Sequence, residues 1–139
     1  MDKLYDNKLK LFLDKLQDSA AIVVGAASGM SAASGFCHYY QRDAVFAEWF
    51  ADFEKKYGFH NSFEGFYYRY RSSEERWAYI ARMICCILDT ETGTTYHDLH
   101  KLLKDKNYHI LTTNQDGQFE RLFPAEKISA IQGDWKFFQ

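Results

Sequence analysis

Two short apolar runs, each followed at once by small or polar residues, constrain the fold more than any other feature. Ile22-Val23-Val24 leads into a stretch of Gly, Ala and Ser, and YHILTT at 108–113 leads into Asn, Gln, Asp and Gly. A shorter run, AEKISAIQ at 125–132, ends at Gly133. Helical patterns fill the chain between the first two. Strands separated by helices predict an α/β fold, a Rossmann-like parallel sheet with flanking helices.

Apolar periodicity predicts four main helices, and a small-residue helix is expected to start near Ser31. The four span residues 2–18, 40–57, 73–89 and Thr95–Lys104. In the third, Ser72 or Ser73 can cap the first turn. The inward stripes are predicted to be Trp77, Ile80, Ala81 and Ile84 on the third helix, and Leu99, Leu102 and Leu103 on the fourth. With 139 residues, the chain is expected to be one domain, residues 1–139.

Charge and cysteine usage exclude several classes of function. The chain has 17 basic and 19 acidic side chains, so neither nucleic acid nor an anionic membrane is expected as the main partner. No apolar run approaches the roughly 18 residues of a membrane span, and acidic residues interrupt the N-terminal apolar stretches, unlike a signal peptide. Cys37, Cys85 and Cys86 lack metal-site spacing, and buried thiols are expected at Cys85-Cys86. The predicted location is the cytoplasm.

Three polar clusters follow the three predicted strands. They begin after Val24, Leu111 and Ile131. Each alone is compatible with an ordinary turn, and Asn114 to Gly117 has the composition of an Asx turn. Because open parallel sheets bind ligands at the carboxyl ends of their strands, three such clusters predict one shared site.

The first cluster has the composition of a phosphate-binding loop. Gly25 and Gly29 allow close backbone approach, and a helix beginning near Ser31 would direct free N–H groups at a pyrophosphate. The pattern is not G-x-G-x-x-G, because Ala27 stands where the second glycine would fall. A small-residue turn that packs a helix closely on a strand is the alternative.

Taken together, the motifs resemble those of the sirtuins. IVVGAASGMSAASG is similar to the glycine-rich first loop of that family, and HILTTNQDGQF is similar to its T-Q-N-x-D-G segment. ISAIQGDW falls where the family has a catalytic His-Gly pair, but this chain has Gln132. T-T-N-x-D with Q-G-D is the pattern of the macrodomain-linked (class M) sirtuins, which are regarded as protein ADP-ribosyltransferases rather than deacylases.

The resemblance implies NAD as cofactor and assigns roles to individual residues. Asn114 would lie beside the nicotinamide ribose, Asp116 would bind the nicotinamide carboxamide, and Gln132 would occupy the catalytic position. Catalytic roles are therefore expected for Asn114 and Gln132. The residues expected to bind the cofactor are Gly25, Ala26, Ala27, Ser28, Gly29, Ser31, Thr113, Asn114, Gln115 and Asp116.

Glutamine at position 132 bears on the reaction. A deacylating sirtuin uses its histidine as a general base, whereas an amide does not titrate and can only orient. General bases contribute about 10²–10⁴-fold to rates, so the residue favours ADP-ribosyl transfer to a protein. The alternatives are an NAD-dependent deacylase and a catalytically inactive module that binds NAD or ADP-ribose.

The resemblance also predicts features beyond these motifs. The family continues into a zinc module and further strands, so the chain is expected to be the N-terminal part of such a domain, with no zinc ligands of its own and no metal site. Class M resemblance implies a lipoyl-carrier-type protein acceptor and a macrodomain hydrolase as partners. The family's P-D-F-R segment is replaced by FCHYYQRD, in which Phe36, His38 and Tyr39 could cover the nicotinamide.

Other features are left with two interpretations each. The aromatic residues between Phe36 and Tyr79 either fill a core or line a cleft. His97 and His100 are spaced to share a metal but lack an evident third ligand. RYRSSEER at 69–76 is most simply a solvated helix start, with anion binding as the alternative.

Overall fold

The computed structural model describes residues 3–137, in which helices surround a small parallel sheet. The helices are α1 (Lys3–Asp18), α2 (Ser28–Ala33), α3 (Ala44–Tyr57), α4 (Ser62–Tyr67), α5 (Ser73–Asp89) and α6 (Thr94–Leu103). The strands are β1 (Ile22–Ala26), β2 (Tyr108–Thr112) and β3 (Ile128–Ala130). Three short 3-10 helices span Cys37–Tyr39, Phe119–Arg121 and Ala125–Lys127.

The sheet has the order β1-β2-β3, and both pairings are parallel. Ile22 is in register with Tyr108, and Ile110 with Ile128. The α/β class, the parallel sheet and the flanking helices are therefore as the sequence predicts. The third strand is shorter than the predicted run 125–132, because residues 125–127 form a 3-10 helix and residue 131 begins a turn.

The helices and the sheet form two hydrophobic cores. One is mostly aromatic and joins α3, α4 and α5; its buried members include Phe46, Phe50 and Tyr79. The other packs α6 on one face of the sheet, through Tyr96, Leu103 and Ile110. Most of the aromatic residues between 36 and 79 therefore fill a core.

Capping side chains set the helix boundaries. Asp43 accepts a hydrogen bond from Phe46 N (2.8 Å), which explains why α3 begins at Ala44 rather than near residue 40 as predicted. Gly58, with φ of 81°, ends it. Asn61 caps α4 in the same way through Glu64 N (2.9 Å). This short helix was not predicted, because six residues are too few to show a period.

Two predicted helix faces are wrong in part. On α5, Trp77 is half exposed and Ala81 is exposed, while the buried stripe is Tyr79, Ile80, Met83, Cys86 and Ile87. The aromatic core draws Tyr79 inward and rotates the buried face away from Trp77. On α6, Leu103 is buried, but Leu102 is 39% exposed because it lies beside the inward stripe of Tyr96, Leu99 and Leu103.

Only one of the two neighbouring thiols is buried, contrary to the prediction. Cys85 is exposed, Cys37 half-buried and Cys86 buried, so the expectation of two buried neighbours is wrong for Cys85, which faces away from the core that holds Cys86.

The predicted helix 2–18 is present as α1, although Asp2 lies outside the described residues. Among residues 3–137, no helix has the length and apolar character needed to cross a bilayer.

The second face of the sheet is open. Val23 is 74% exposed and Leu111 is 42% exposed, while Ile110, which precedes Leu111 in β2 and faces the other way, is fully buried. Parallel sheets in α/β proteins are usually covered on both faces. The face that carries Val23 and Leu111 is therefore unusual for this architecture.

Candidate functional site

Hydrogen bonds join the carboxyl ends of the three strands into one unit. Ala26 O at the end of β1 accepts bonds from Thr113 N and from Thr112 Oγ1, both at 3.1 Å. Thr112 O in turn accepts from Ile131 N at 3.0 Å. The segments that follow the strands are thus brought side by side, as expected for a ligand site of an open parallel sheet.

A cleft of about 190 Å³ opens at this edge, and we call it the strand-end cleft. One wall is polar and comes from the residues that follow the strands, while the other is aromatic and comes largely from α4. Its lining residues are Ser28, Tyr39, Phe63, Phe66, Tyr67, Met83, Thr113, Asn114, Gln115, Asp116, Gln132 and Trp135. Phe66 and Trp135 meet edge to face, with ring centroids 5.5 Å apart.

A directed chain of hydrogen bonds lies under the polar wall. Ser31 Oγ donates to Asp116 Oδ2 at 2.5 Å, so its only hydrogen is used. The Tyr96 hydroxyl, 3.3 Å from Ser31 Oγ, must therefore donate to it, and itself accepts from Asn114 Nδ2 at 3.4 Å. The order Asn114, Tyr96, Ser31, Asp116 ends on a carboxylate, and aligned bonds of this kind strengthen one another. Burial raises the pKa of Tyr96 to about 12, which keeps its proton in place.

Asp116 is the buried acid of the cleft. It is 5% exposed, and burial raises the pKa of its carboxyl group, opposed by the bonds from Ser31 and Gln118 N and by the charge of Arg121. No ion pair to it occurs among residues 3–137. Two hydrogen bonds leave unused lone pairs on the carboxylate, so the group can still accept a donor from a ligand.

The amide of Asn114 is fixed in one orientation. Its Nδ2 donates to Ala27 O at 3.1 Å and to the Tyr96 hydroxyl. Both amide hydrogens are therefore used. Asn114 lines the cleft, and its amide oxygen Oδ1 can still accept a hydrogen bond from a ligand. The backbone N–H of Asn114 is held by Thr112 Oγ1 at 3.0 Å.

Gln115 ties the end of β2 to the turn after β3. Its Nε2 donates to Gln132 O at 2.5 Å, and its own carbonyl accepts from Trp135 N at 3.2 Å. Gln132 is exposed and borders the strand-end cleft and a neighbouring groove. Its backbone is held while its side-chain amide stays accessible.

The structure gathers most of the predicted site residues, but not all of them. Those that line the cleft are Ser28, Thr113, Asn114, Gln115, Asp116 and Gln132. Ser31 lies beneath it, and Ala26 and Ala27 take part through their carbonyl groups. Gly25 lies within β1 and Gly29 within α2, both exposed and outside the cleft lining. The helix begins at Ser28, not near Ser31, so the predicted loop shrinks to Ala27.

Sequence reasoning missed the tyrosine at the centre of this network. Tyr96 falls on the inward stripe of α6 with Leu99 and Leu103, where a tyrosine has the pattern of a core residue. A hydroxyl on an otherwise aliphatic stripe was the available signal, because a buried Tyr O–H needs a partner. Of the three residues that could cover the nicotinamide, Tyr39 lines the cleft, whereas Phe36 and His38 are buried in the aromatic core.

Potential metal-ligating side chains are dispersed among the described residues. In the part of the chain that the structure describes, no three His, Cys, Asp or Glu side chains lie together in an arrangement that would hold a metal ion. His97 is exposed, and the ring of His100 packs edge to face on Phe123.

The fold and the cleft define an α/β protein with a ligand-type site at the carboxyl ends of its parallel strands. No family model matches the chain. A curated protein of Staphylococcus aureus, named protein ADP-ribosyltransferase, is 35% identical over 140 residues, which cover 97% of this chain and 44% of that relative. The chain thus spans less than half the length of the curated relative.

Proposed function

We propose that the chain is the nicotinamide-binding part of a sirtuin-type, NAD-dependent protein ADP-ribosyltransferase. The observation that carries this proposal is a buried carboxylate, Asp116, fixed by Ser31 and lining a partly aromatic cleft at the strand ends. The relative from Staphylococcus aureus supports the transferase assignment by its name and by its identity over almost the whole chain.

The polar wall suits a flat ring that carries a carboxamide. Asp116 offers an acceptor for the amide hydrogens, and Asn114 Oδ1 offers a second. The aromatic side chains opposite, Phe63 and Phe66, provide apolar surface for the ring. NAD supplies a nicotinamide ring whose positive charge favours an anionic neighbour, and this charge is lost when the bond to the ribose breaks.

The size of the cleft fits one end of the cofactor. Sites for drug-sized ligands measure about 300–1,000 Å³, whereas the strand-end cleft measures about 190 Å³. The residues described here therefore fit the nicotinamide and its ribose, and the remainder of a dinucleotide would lie outside this cleft.

Gln132 favours transfer over deacylation. Its amide can orient an acceptor side chain at the cleft mouth but cannot remove a proton from a ribose hydroxyl. Transfer depends more on positioning and on the electrostatics around the breaking bond. The acceptor forms a bond to the ribose carbon as the nicotinamide leaves, and the acceptor releases its own proton to solvent.

Calorimetric titration of the 139-residue chain with NAD and with nicotinamide tests the proposal. We expect saturable binding of both, weakened about tenfold or more in Asp116→Ala, since a charge-assisted hydrogen bond is lost. Asp105→Ala, which removes an exposed aspartate after α6, is the matched control and should bind as the wild type does.

Chromatographic detection of nicotinamide released from NAD separates the transferase from the binding module. Release that depends on Asp116 supports an enzyme. Binding without release supports a module that binds NAD or ADP-ribose. A folded wild-type chain that binds neither NAD nor nicotinamide contradicts the assignment of the strand-end cleft.

A further inference from the structure

Three arginines where α4 leads into α5 form a concentrated positive surface on this slightly acidic chain, whose formal net charge is −2. Arg69 and Arg71 lie in the connection and Arg76 in the first turns of α5. All three line one open cleft of about 620 Å³, which we call the arginine cleft. Its other lining residues include Tyr67, Tyr68 and Ser72, and none is acidic.

The charges of these arginines are not neutralised locally. Within residues 3–137, no ion pair involves Arg69, Arg71 or Arg76, whereas Arg42 and Arg82 each pair with a carboxylate. The carboxylates at the start of α5 are directed elsewhere. Glu75 binds Lys56 at 2.8 Å and the backbone N–H of Arg71 at 3.2 Å, and Glu74 does not line the cleft.

The arginine cleft adjoins the strand-end cleft. Phe66 and Tyr67 line both of them. Arg76 also borders the groove that runs past Trp77 to Gln132. A partner held by the arginines would therefore lie against the residue that stands at the mouth of the candidate site.

We propose that the arginine cleft docks a carboxylate-rich segment of the protein that accepts ADP-ribose. Arginine presents planar, bidentate donors that match carboxylates. Arginine and tyrosine are enriched at protein interfaces, and Tyr67 and Tyr68 are 77% and 39% exposed here. No described residue that follows a strand lines this cleft, and a dinucleotide would bind at the strand ends, so an acidic protein segment fits the arginine cleft better than the phosphates of NAD. The proposal rests on the proposed function for the identity of the partner, and on the arginine cleft for its chemistry.

Fluorescence anisotropy with a labelled oligoglutamate peptide tests the docking surface. The variant Arg69→Gln/Arg71→Gln/Arg76→Gln should bind the peptide about tenfold or more weakly, as expected for the loss of three exposed charge pairs. Lys8→Gln/Lys10→Gln/Lys15→Gln on α1 removes the same charge at another exposed site and should bind as the wild type does. Equal loss in both variants would show a general charge effect and overturn the proposal.

A second titration with pyrophosphate identifies the anion. Binding of pyrophosphate but not oligoglutamate, lost in the arginine variant, would make the cleft a phosphate site and overturn protein docking. Nicotinamide binding at the strand-end cleft should be unchanged in the arginine variant. If nicotinamide fails to bind while oligoglutamate binding remains arginine-dependent, the proposed function fails and the docking surface stands. Failure of oligoglutamate alone overturns only the docking surface.

Discussion

At the scale of single residues, the burial of Asp116 makes its protonation sensitive to the charge of a ligand placed beside it. Burial makes its charged form costly and raises its pKa, so a cationic ring placed beside it would favour loss of the proton. A buried acid held by one serine and one backbone N–H is poorly compensated for stability alone. Perturbed acids of this kind are common at functional sites.

We predict that affinity for NAD rises with pH through the raised pKa of Asp116. Below that pKa the carboxyl group is neutral and does not attract the positive ring, whereas above it the charged form does. Titrations across the acidic range measure this dependence. Asp116→Asn should bind weakly at every pH and show a flat profile. A variant profile that still rises would assign the dependence to another group.

His38 makes a second residue-scale prediction, on stability. The Ser62 hydroxyl donates to His38 O (2.9 Å), so His38 Nδ1 must donate to Ser62 Oγ (3.0 Å), and Nε2 is buried without a partner. Burial lowers the pKa of His38 below 6.5, so the folded state resists its protonation. The free energy of unfolding is therefore unaffected by His38 well above pH 6.5, and it decreases as the pH falls below that value, because the unfolded chain then takes up a proton that the folded chain resists.

Urea unfolding at about pH 7.5 and about pH 5.5 measures this effect, since the range spans the titration of an ordinary histidine. The wild type should lose stability at the lower pH, and His38→Phe should lose less. His97→Gln, at an exposed site, should behave as the wild type does. An undiminished loss in His38→Phe would contradict the role of His38.

The sequence located the polar wall of the site better than its support. Asn114, Asp116 and Gln132 were predictable because polar groups after buried strands gather at one edge of a parallel sheet. Tyr96 was not, because its link to Ser31 depends on how α6 packs over the sheet. That packing is tertiary and leaves no local pattern.

At the scale of elements, the start of α6 depends on a close backbone approach. A Cβ atom at Gly93 would collide with the backbone carbonyl of Ser34. The φ of Gly93 is −76°, which any residue can adopt, so the constraint is steric. This contact fixes α6, and with it Tyr96, against the end of α2.

Gly93→Ala is therefore expected to destabilise the fold by about 1–3 kcal/mol, the usual cost of overpacking. Urea denaturation measures the change. Gly29→Ala in α2, where a Cβ meets no atom within 4 Å, is the control and should be neutral or stabilising by up to about 1 kcal/mol. Similar costs in the two variants would mean that the approach of Gly93 to Ser34 relaxes easily.

Helix boundaries were predicted well where the capping side chain was recognised in the sequence. The extent of α5 was predicted correctly, with Ser72 as its cap. Its inward face was not, since Trp77 and Tyr79 are both aromatic and only packing in the aromatic core decides between them. Short elements such as α4 depend on tertiary contacts, and they contain too few residues to show a periodic pattern in the sequence.

At the scale of the whole molecule, the sheet has one buried face and one open face. Ile110 is 0% exposed and Val23 is 74% exposed, although both are β-branched residues within strands. The two faces should therefore respond differently to truncation of their side chains.

Ile110→Ala should cost about 2–5 kcal/mol, as for other buried aliphatic side chains, and Val23→Ala about 0.5 kcal/mol or less, as for an exposed site. Chemical denaturation at two protein concentrations measures both. A cost at Val23 that matches Ile110 and grows with protein concentration would show that self-association covers the open face.

The parallel register described above also affects the order in which parts of the molecule form during folding. Ile22 pairs with Tyr108, so the first strand pair closes only after the intervening helices have been brought together, and such distant contacts form slowly. Helix contacts in the aromatic core are more local and can form earlier. Because the strand-end cleft exists only once β1, β2 and β3 are aligned, the candidate site should be among the last parts of the molecule to form during folding. A ligand that binds there would select fully folded chains.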